Sequence, residues 1–554
     1  MAAQLGGRPV YVLKEGTQRI RGRDARRMNI LVARVIAEAV KTTLGPKGMD
    51  KMLVDTTGDI VVTNDGAVIL KTLEVKHPAA KMMVEVAKSQ EKEVGDGTTT
   101  AVVMAGELLR RAEELLDKGV HATIISKGYR MAEDEATKTL ERLGKKVRRG
   151  DKDLLKKVAL TALGVKMSGV KAKEHLAALA VDAVEAAAES IDGEVRIDKD
   201  NIKIQKHVGE GIKDSFLVKG VVLDKERAHP RMPEKVEDAR IALVKSEMKV
   251  KKTETDSKFN ITSPETLQSF MEEERETLKK MAQEVANSGA NVVLCQKGID
   301  DLVGYYLAKE GILGVKNVSE KDMKLIAKAT GGSIVSASKD LTSAALGKAS
   351  DVAEKKIAEE AFIFIEGCEN PKAVTVFIRG GTEHVLEGVE RSLDDAISVV
   401  KDVLELTWVL PGGGASEVEI ASHLRDYAEK VSGREQLAIL EYANAVEAIP
   451  RIIAENTGLD PIDALIELRA VHEKGKKHAG IDIATGKAVD MYRSGILEPL
   501  KVKTQIIKTA TETACMILRI DDIIAAKGVL GKEEEETSSG PSCGPACGAG
   551  GMPM

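Results

Sequence analysis

The feature that most constrains how this 554-residue chain can fold is a symmetry of texture. Long helical periodicity opens the chain and a short Ala-rich section follows. Strand-like and helical runs then alternate through the middle, and the order reverses to end in long helices. So long a chain exceeds what one hydrophobic core supports, and its length suggests about three or four domains. A nested path accounts for the symmetry, with the two helical ends closing on each other around an insertion. The reading is a multidomain α and α/β chain: 1–150 and 411–530 mainly helical, 151–219 and 377–410 small, and 220–376 α/β. The Glu-, Gly-, Ser- and Pro-rich stretch 531–554 is expected to be a disordered tail.

In the first section MNILVARVIAEAVKTTL is periodic at helical spacing and stops at Gly45-Pro46. KMLVDTTGDIVVTNDGAVILKTL reads as short strands around turns at Gly58 and Asn64-Asp65-Gly66, the latter a hairpin signal. From about 78 to 143 the pattern is helical, broken by Gly95-Asp96-Gly97-Thr98-Thr99-Thr100. Two glycines there bracket a carboxylate, three hydroxyls follow, and an apolar-periodic segment begins at once. A helix start of this kind offers unpaired N–H groups and the positive end of a dipole to phosphate. Asp96 is the type of hard oxygen ligand that Mg²⁺ takes beside phosphate oxygens and water. The plainer alternative is that the threonines cap a helix and the glycines turn the chain.

Strand-like runs in the middle section fall at 221–223, 241–244, 291–295 and 333–336. Between them one helix has clear ends, with Ser263 as N-cap, Pro264 at the first position and Gly289 just past the finish. Its stripe of Leu267, Phe270, Met271, Leu278, Met281 and Val285 has the default explanation of a core-facing helix. The preceding KVKKTETDSKFN has almost nothing to pack, so the start of the helix is expected to project from the domain. After 377 the long helices are broken by Pro411-Gly412-Gly413-Gly414 and by strand candidates around Gly480 and Val502.

Composition excludes several functions. Charged residues are 31% of the chain with a net charge of -5, and aromatics are 3%, so neither an electrostatic nucleic-acid surface nor base-stacking platforms are indicated. Five cysteines in so long a chain do not make a disulfide scaffold. Cys543 and Cys547 have a spacing zinc could use, but no second pair or nearby His completes four ligands. The basic N-terminus lacks an apolar signal region and no segment is apolar enough to span a bilayer, so a cytoplasmic protein is expected. No G-x-x-x-x-G-K-[ST] occurs, which removes the P-loop NTPases.

Five stretches, TLGPKGMDKML at 43–53, VTNDG at 62–66, VGDGTTTAVV at 94–103, RGGTEHV at 379–385 and PGGGASEVE at 411–419, together resemble the group II chaperonins. That group includes the archaeal thermosome and its eukaryotic cytosolic relatives. The likeness runs from about residue 10 to 526. It implies an equatorial ATPase domain from 1–150 and 411–530, an intermediate hinge domain from 151–219 and 377–410, and an apical domain at 220–376 with a helical protrusion at about 250–285. It further implies an ATP-dependent double-ring cage that encloses unfolded proteins, built of identical or homologous subunits and closed by that protrusion.

By the same resemblance Asp96 would hold Mg²⁺, Gly97, Thr98, Thr99 and Thr100 would contact the ATP phosphates, and Gly45, Pro46, Gly413 and Gly414 would line the nucleotide. Glu498 would sit near the ribose, and Asp65 and Asp394 would orient and deprotonate the attacking water. Lys166 resembles a nucleotide-sensing lysine, although LGVKMSG departs from the commoner local pattern. Leu406-Thr407-Trp408 also departs, standing where relatives usually carry an Asp-Gly turn. Two other classes remain open: a nucleotide-independent holdase or ring scaffold, separated by ATP turnover, and a small-molecule kinase, separated by whether the γ-phosphate goes to water.

Overall fold

The computed structural model describes residues 18–54, 57–73, 75–164, 170–191, 193–250, 264–368 and 373–525, with two short paired strands, Ala2–Leu5 and Arg8–Tyr11, before them. Both chain ends build one helical core. Gly22–Lys41, Pro78–Val94, Thr98–Asp117 and Ala122–Leu143 pack with Glu435–Val446 and Leu500–Leu518 from the far end. Small residues set the closeness of this packing. A Cβ on Gly106 would come 2.3 Å from Ala37 Cβ, and one on Gly128 would come 2.6 Å from Ala438 Cβ. Tyr129 and Tyr442 meet edge to face at 5.5 Å, and the Tyr129 hydroxyl donates to the Leu108 carbonyl at 2.8 Å. The chain ends join again as antiparallel strands, Gln18–Arg21 on Asp522–Ala525.

A second core takes its residues from both sides of the α/β section. Helices Lys152–Leu163, Val170–Ala187 and Glu383–Leu406 cover a sheet in which Val374–Gly380 lies between Phe216–Val218, antiparallel, and Ile202–Val208, parallel. The α/β section itself is a mixed seven-stranded sheet. Its strands run Gly220–Leu223, Glu360–Cys368, Gly347–Ile357, Lys235–Val244, Val292–Cys295 and Leu313–Val315, with Ile334–Val335 also on Lys235–Val244. Both faces are apolar and covered, one by helix Glu320–Thr330 and the other by Pro264–Asn287 and Asp301–Lys309. Runs 221–223 and 241–244 lie within these strands, and runs 291–295 and 333–336 overlap the shorter strands Val292–Cys295 and Ile334–Val335.

Three sequence expectations are corrected. Asn64-Asp65-Gly66 does not close a hairpin: Lys51–Val54 pairs with Ile60–Thr63 around Gly58, and Asp65 instead caps helix Gly66–Thr72 by accepting the Ala67 N–H at 2.9 Å. A side-chain oxygen before a helical residue serves a cap as readily as a turn, and here the helix packs. Val502 is not in a strand but is buried in helix Leu500–Leu518, just beyond the short strand Leu497–Pro499. The stripe on Pro264–Asn287 is not one surface: Phe270 and Met271 are 45% and 63% exposed, whereas Leu278 and Val285 are 2% and 0% exposed in the core. Ser263, the Leu267 side chain, the segment 251–263 and the Cys543/Cys547 tail lie outside the described residues.

Candidate functional site

The Gly95 stretch joins two helices by backbone conformations that favour glycine. Gly95 ends Pro78–Val94 at φ 73°, and Gly97, at φ 77°, caps Thr98–Asp117 with no side-chain oxygen on the first N–H groups. A Cβ on Gly97 would also stand 2.8 Å from Ile506 Cδ1, so the dihedral angle favours glycine and the space is tight. Gln90 Nε2 donates to the Asp96 carbonyl at 2.9 Å and the Asp96 carboxylate accepts the Gly97 N–H at 2.6 Å.

Asp65 comes to this loop from the preceding segment. Its Oδ1 accepts the Thr98 hydroxyl at 3.3 Å as well as its capping N–H, and a Cβ on Gly66 would stand 2.6 Å from Thr99 Oγ1. From the far end of the chain, strand Trp408–Pro411 runs through the glycines to Gly414, which caps Ala415–Ala428, again without a side-chain cap. The loop at Gly45 is pinned from the far end too, because Asn456 Nδ2 donates to the carbonyls of Lys41 at 3.0 Å and Leu44 at 2.7 Å.

These parts enclose a cavity of about 550 Å³. Gly45, Pro46, Asp65, Asp96, Gly97, Thr98, Thr99, Thr100, Gly413 and Glu498 line it; Gly414 stands behind the lining as a helix cap, against Pro450. One part of the wall is aliphatic, with Ile449, Ile453, Ile481, Ile483 and Ile496, while the hydroxyls and carboxylates give it a polar part. An apolar enclosure with a few convergent polar groups is the usual build of a small-molecule site.

Asp394 is not in that lining. It lies in a neighbouring cleft of about 510 Å³ that shares Asp65 and Asp395 with the cavity. Its helix, Glu383–Leu406, rests directly on the glycine loop: a Cβ on Gly95 would stand 2.4 Å from Ser398 Oγ, one turn beyond Asp394. Lys166 lies outside the described residues, and three other lysines, Lys157, Lys173 and Lys503, line the cavity. Burial holds the Lys173 ammonium below the ordinary lysine range, and Lys173 Nζ donates to the Gly164 carbonyl at 2.5 Å.

Sequence reasoning missed a buried charge cluster at the cavity wall. Lys503 Nζ contacts Glu417 Oε1 at 2.5 Å and Glu498 Oε2 at 2.7 Å. Burial pushes the Glu498 carboxyl above its ordinary range against the pull of Lys503. Burial also opposes charge on Lys503, but Glu417 and Glu498 outweigh it and raise its pKa. The available signal was a lysine on the apolar face of its helix, one residue from Val502 and three from Ile506. Thr407, in the departing tripeptide, adopts φ 61°, a conformation uncommon for a β-branched residue and natural for glycine.

Two helical chain ends thus close around an α/β insertion, with a bare helix N-terminus and glycine loops at one cavity. Residues 36–528 match the model of the TCP-1/cpn60 chaperonin family. Thermosome subunit alpha of Archaeoglobus fulgidus is 56% identical over 538 residues, covering 97% of this chain and 98% of the relative. A thermosome subunit of Methanopyrus kandleri is 57% identical over 522 residues, 94% and 95% of the two chains. The chain belongs to the TCP-1/cpn60 chaperonin family, and within it to the group II chaperonins, ATP-hydrolysing protein-folding chaperones. No helix among the described residues is long and apolar enough to cross a membrane.

Proposed function

We propose that this protein binds Mg-ATP in the 550 Å³ cavity and uses its hydrolysis to close a cytoplasmic double-ring cage over unfolded proteins. The observation that carries this reading is the uncapped start of Thr98–Asp117, opening beside Asp65 and Asp96 in a cavity walled by both chain ends. In this reading the first core is the equatorial domain, the second the intermediate hinge and the seven-stranded sheet the apical domain. The protrusion at about 250–285 closes the cage, and the exposed Phe270 and Met271 support apolar contact with clients or with other subunits.

The N–H groups and hydroxyls of Gly97 to Thr100 receive the phosphates, while Gly45, Pro46 and Gly413 bring backbone close to the nucleotide and Gly414 aims a second helix start. Glu498 meets the ribose. Asp96, lining the cavity beside the uncapped start of Thr98–Asp117, would hold a Mg²⁺ ion together with phosphate oxygens and water. The ion would neutralise charge on the phosphate oxygens.

Asp65 orients the attacking water and Asp394 accepts its proton. The water oxygen bonds to the γ-phosphorus as the bond to the bridging oxygen breaks, and that electron pair leaves on ADP. Asp394 stands one cleft away from the phosphate loop, on a helix already resting on it, so a small movement of that helix would deliver the base. Lys166 is assigned the sensing of the γ-phosphate. Turnover of ATP tests the whole reading. Asp96→Ala should abolish Mg²⁺-dependent hydrolysis while rings persist in negative-stain images; normal turnover would overturn the metal assignment. A wild-type protein without turnover would leave the holdase.

A further inference from the structure

We infer that Lys199 is a positioning residue for hydrolysis, fixing the Asp394 carboxylate by one oxygen and leaving the other for the attacking water. The inference rests on the reading of Asp394 as the base. Lys199 Nζ contacts Asp394 Oδ2 at 2.6 Å and donates to Ser398 Oγ at 2.7 Å, and Ser398 Oγ donates to the Asp394 carbonyl at 2.8 Å. The ammonium therefore bridges two successive turns of the helix that rests on Gly95. A Cβ on Gly95 would stand 3.9 Å from Lys199 Nζ, so the lysine lies at the junction of base and phosphate loop.

Of the nearby cations, Lys203 pairs with Asp322 at 2.6 Å and Lys206 with Glu390 at 2.8 Å, and Lys321 and Arg391 also line the cleft. Lys199 is the cation in direct contact with the Asp394 carboxylate. Its own position is stiff. It begins the single turn Lys199–Asn201, where Asp198 accepts the Asp200 N–H at 3.1 Å. Lys328 of the α/β section ties that turn from outside, contacting Asp198 at 2.7 Å and Asn201 Oδ1 at 3.1 Å. A carboxylate turns freely about its last bond unless one oxygen is held, and misplacing a reacting group by about 1 Å can cost on the order of 100-fold in rate. Half-exposed ion pairs contribute little to stability, so removing the lysine leaves a folded subunit to assay.

The experiment is a double-mutant cycle in the assembled full-length protein, read by single-turnover ATP hydrolysis and by nucleotide affinity. Lys199→Met should slow hydrolysis about 10- to 100-fold with nucleotide Kd within about twofold, and Lys199→Arg should restore most of the rate. In an Asp394→Asn background, Lys199→Met should change the residual rate by less than about twofold, because the group it positions is already disabled. An unchanged rate in Lys199→Met, or the same loss with and without Asp394, overturns the inference while the base assignment stands. Full hydrolysis by Asp394→Asn overturns that assignment, and the inference with it.

Discussion

The cavity and the cleft beside it are similar in size, about 550 and 510 Å³, and share Asp65 and Asp395, yet they are built on opposite electrostatic plans. In the cavity wall Lys503 is buried between Glu417 and Glu498, and Gly414 has no room for a side chain against Pro450. At the cleft the pairs Lys199–Asp394 and Lys206–Glu390 are half exposed, while Lys203–Asp322 is more deeply set. Breaking a buried pair from one side strands a charge at about 3–5 kcal/mol, whereas exposed pairs are worth about 0–1 kcal/mol. The cavity is therefore a fixed receptacle, and the cleft a joint whose contacts can be exchanged at little cost.

Asp394→Ala strikes the joint at the proposed base. Single-turnover hydrolysis should fall by about 10²- to 10⁴-fold, with nucleotide affinity by filter binding nearly unchanged. Equal loss of binding and hydrolysis would indicate that cleft and cavity are one rigid site. Lys503→Met strikes the receptacle and should destabilise the subunit by about 3–5 kcal/mol, seen as a lowered denaturation midpoint. A midpoint like that of the wild type would erase the contrast.

Asp402 sharpens it, being a buried carboxylate where the helix of Asp394 meets Leu500–Leu518. Burial pushes its pKa up to about 6 against the pull of Lys501 at 2.8 Å. The folded chain then holds this proton more tightly than the unfolded one, so its contribution to stability falls as pH rises from about 4 to about 6. Asp402→Asn should flatten that segment of the profile, raising Tm at pH 7 relative to wild type by more than at pH 4. A parallel shift at both pH values would refute the linkage. The smallest effect belongs to Thr407→Gly, remote from both sites in its role. Relief of a left-handed β-branched residue, less the chain entropy of glycine, should add about 0.5–1 kcal/mol, with ATP turnover unaltered. A loss of stability would mean that the threonine side chain contributes more than its backbone costs.

Much of the Gly95 loop was legible because its conformation is local. Gly95, Gly97 and Gly413 carry positive φ values that consecutive residues announce, and the helix after Gly97 follows from apolar spacing alone. Three of the four middle strands were legible for the same reason, as short apolar runs buried on both faces, whereas Ile334–Val335 is a two-residue strand whose Ile334 is exposed. Asn64-Asp65-Gly66 misled because one dipeptide signal serves both a hairpin turn and a helix cap, and packing of Gly66 against Thr99 made the choice.

By itself the sequence determined the local conformations: glycine where φ is positive, helix where apolar residues recur at helical spacing, and the nested order of textures along the chain. Tertiary structure alone decided that Lys503 meets Glu417 and Glu498, that Lys199 holds Asp394, and that the stripe of Pro264–Asn287 divides into a buried and an exposed half. Those contacts join residues up to 195 positions apart, and no periodicity within one segment encodes which distant segment will cover it.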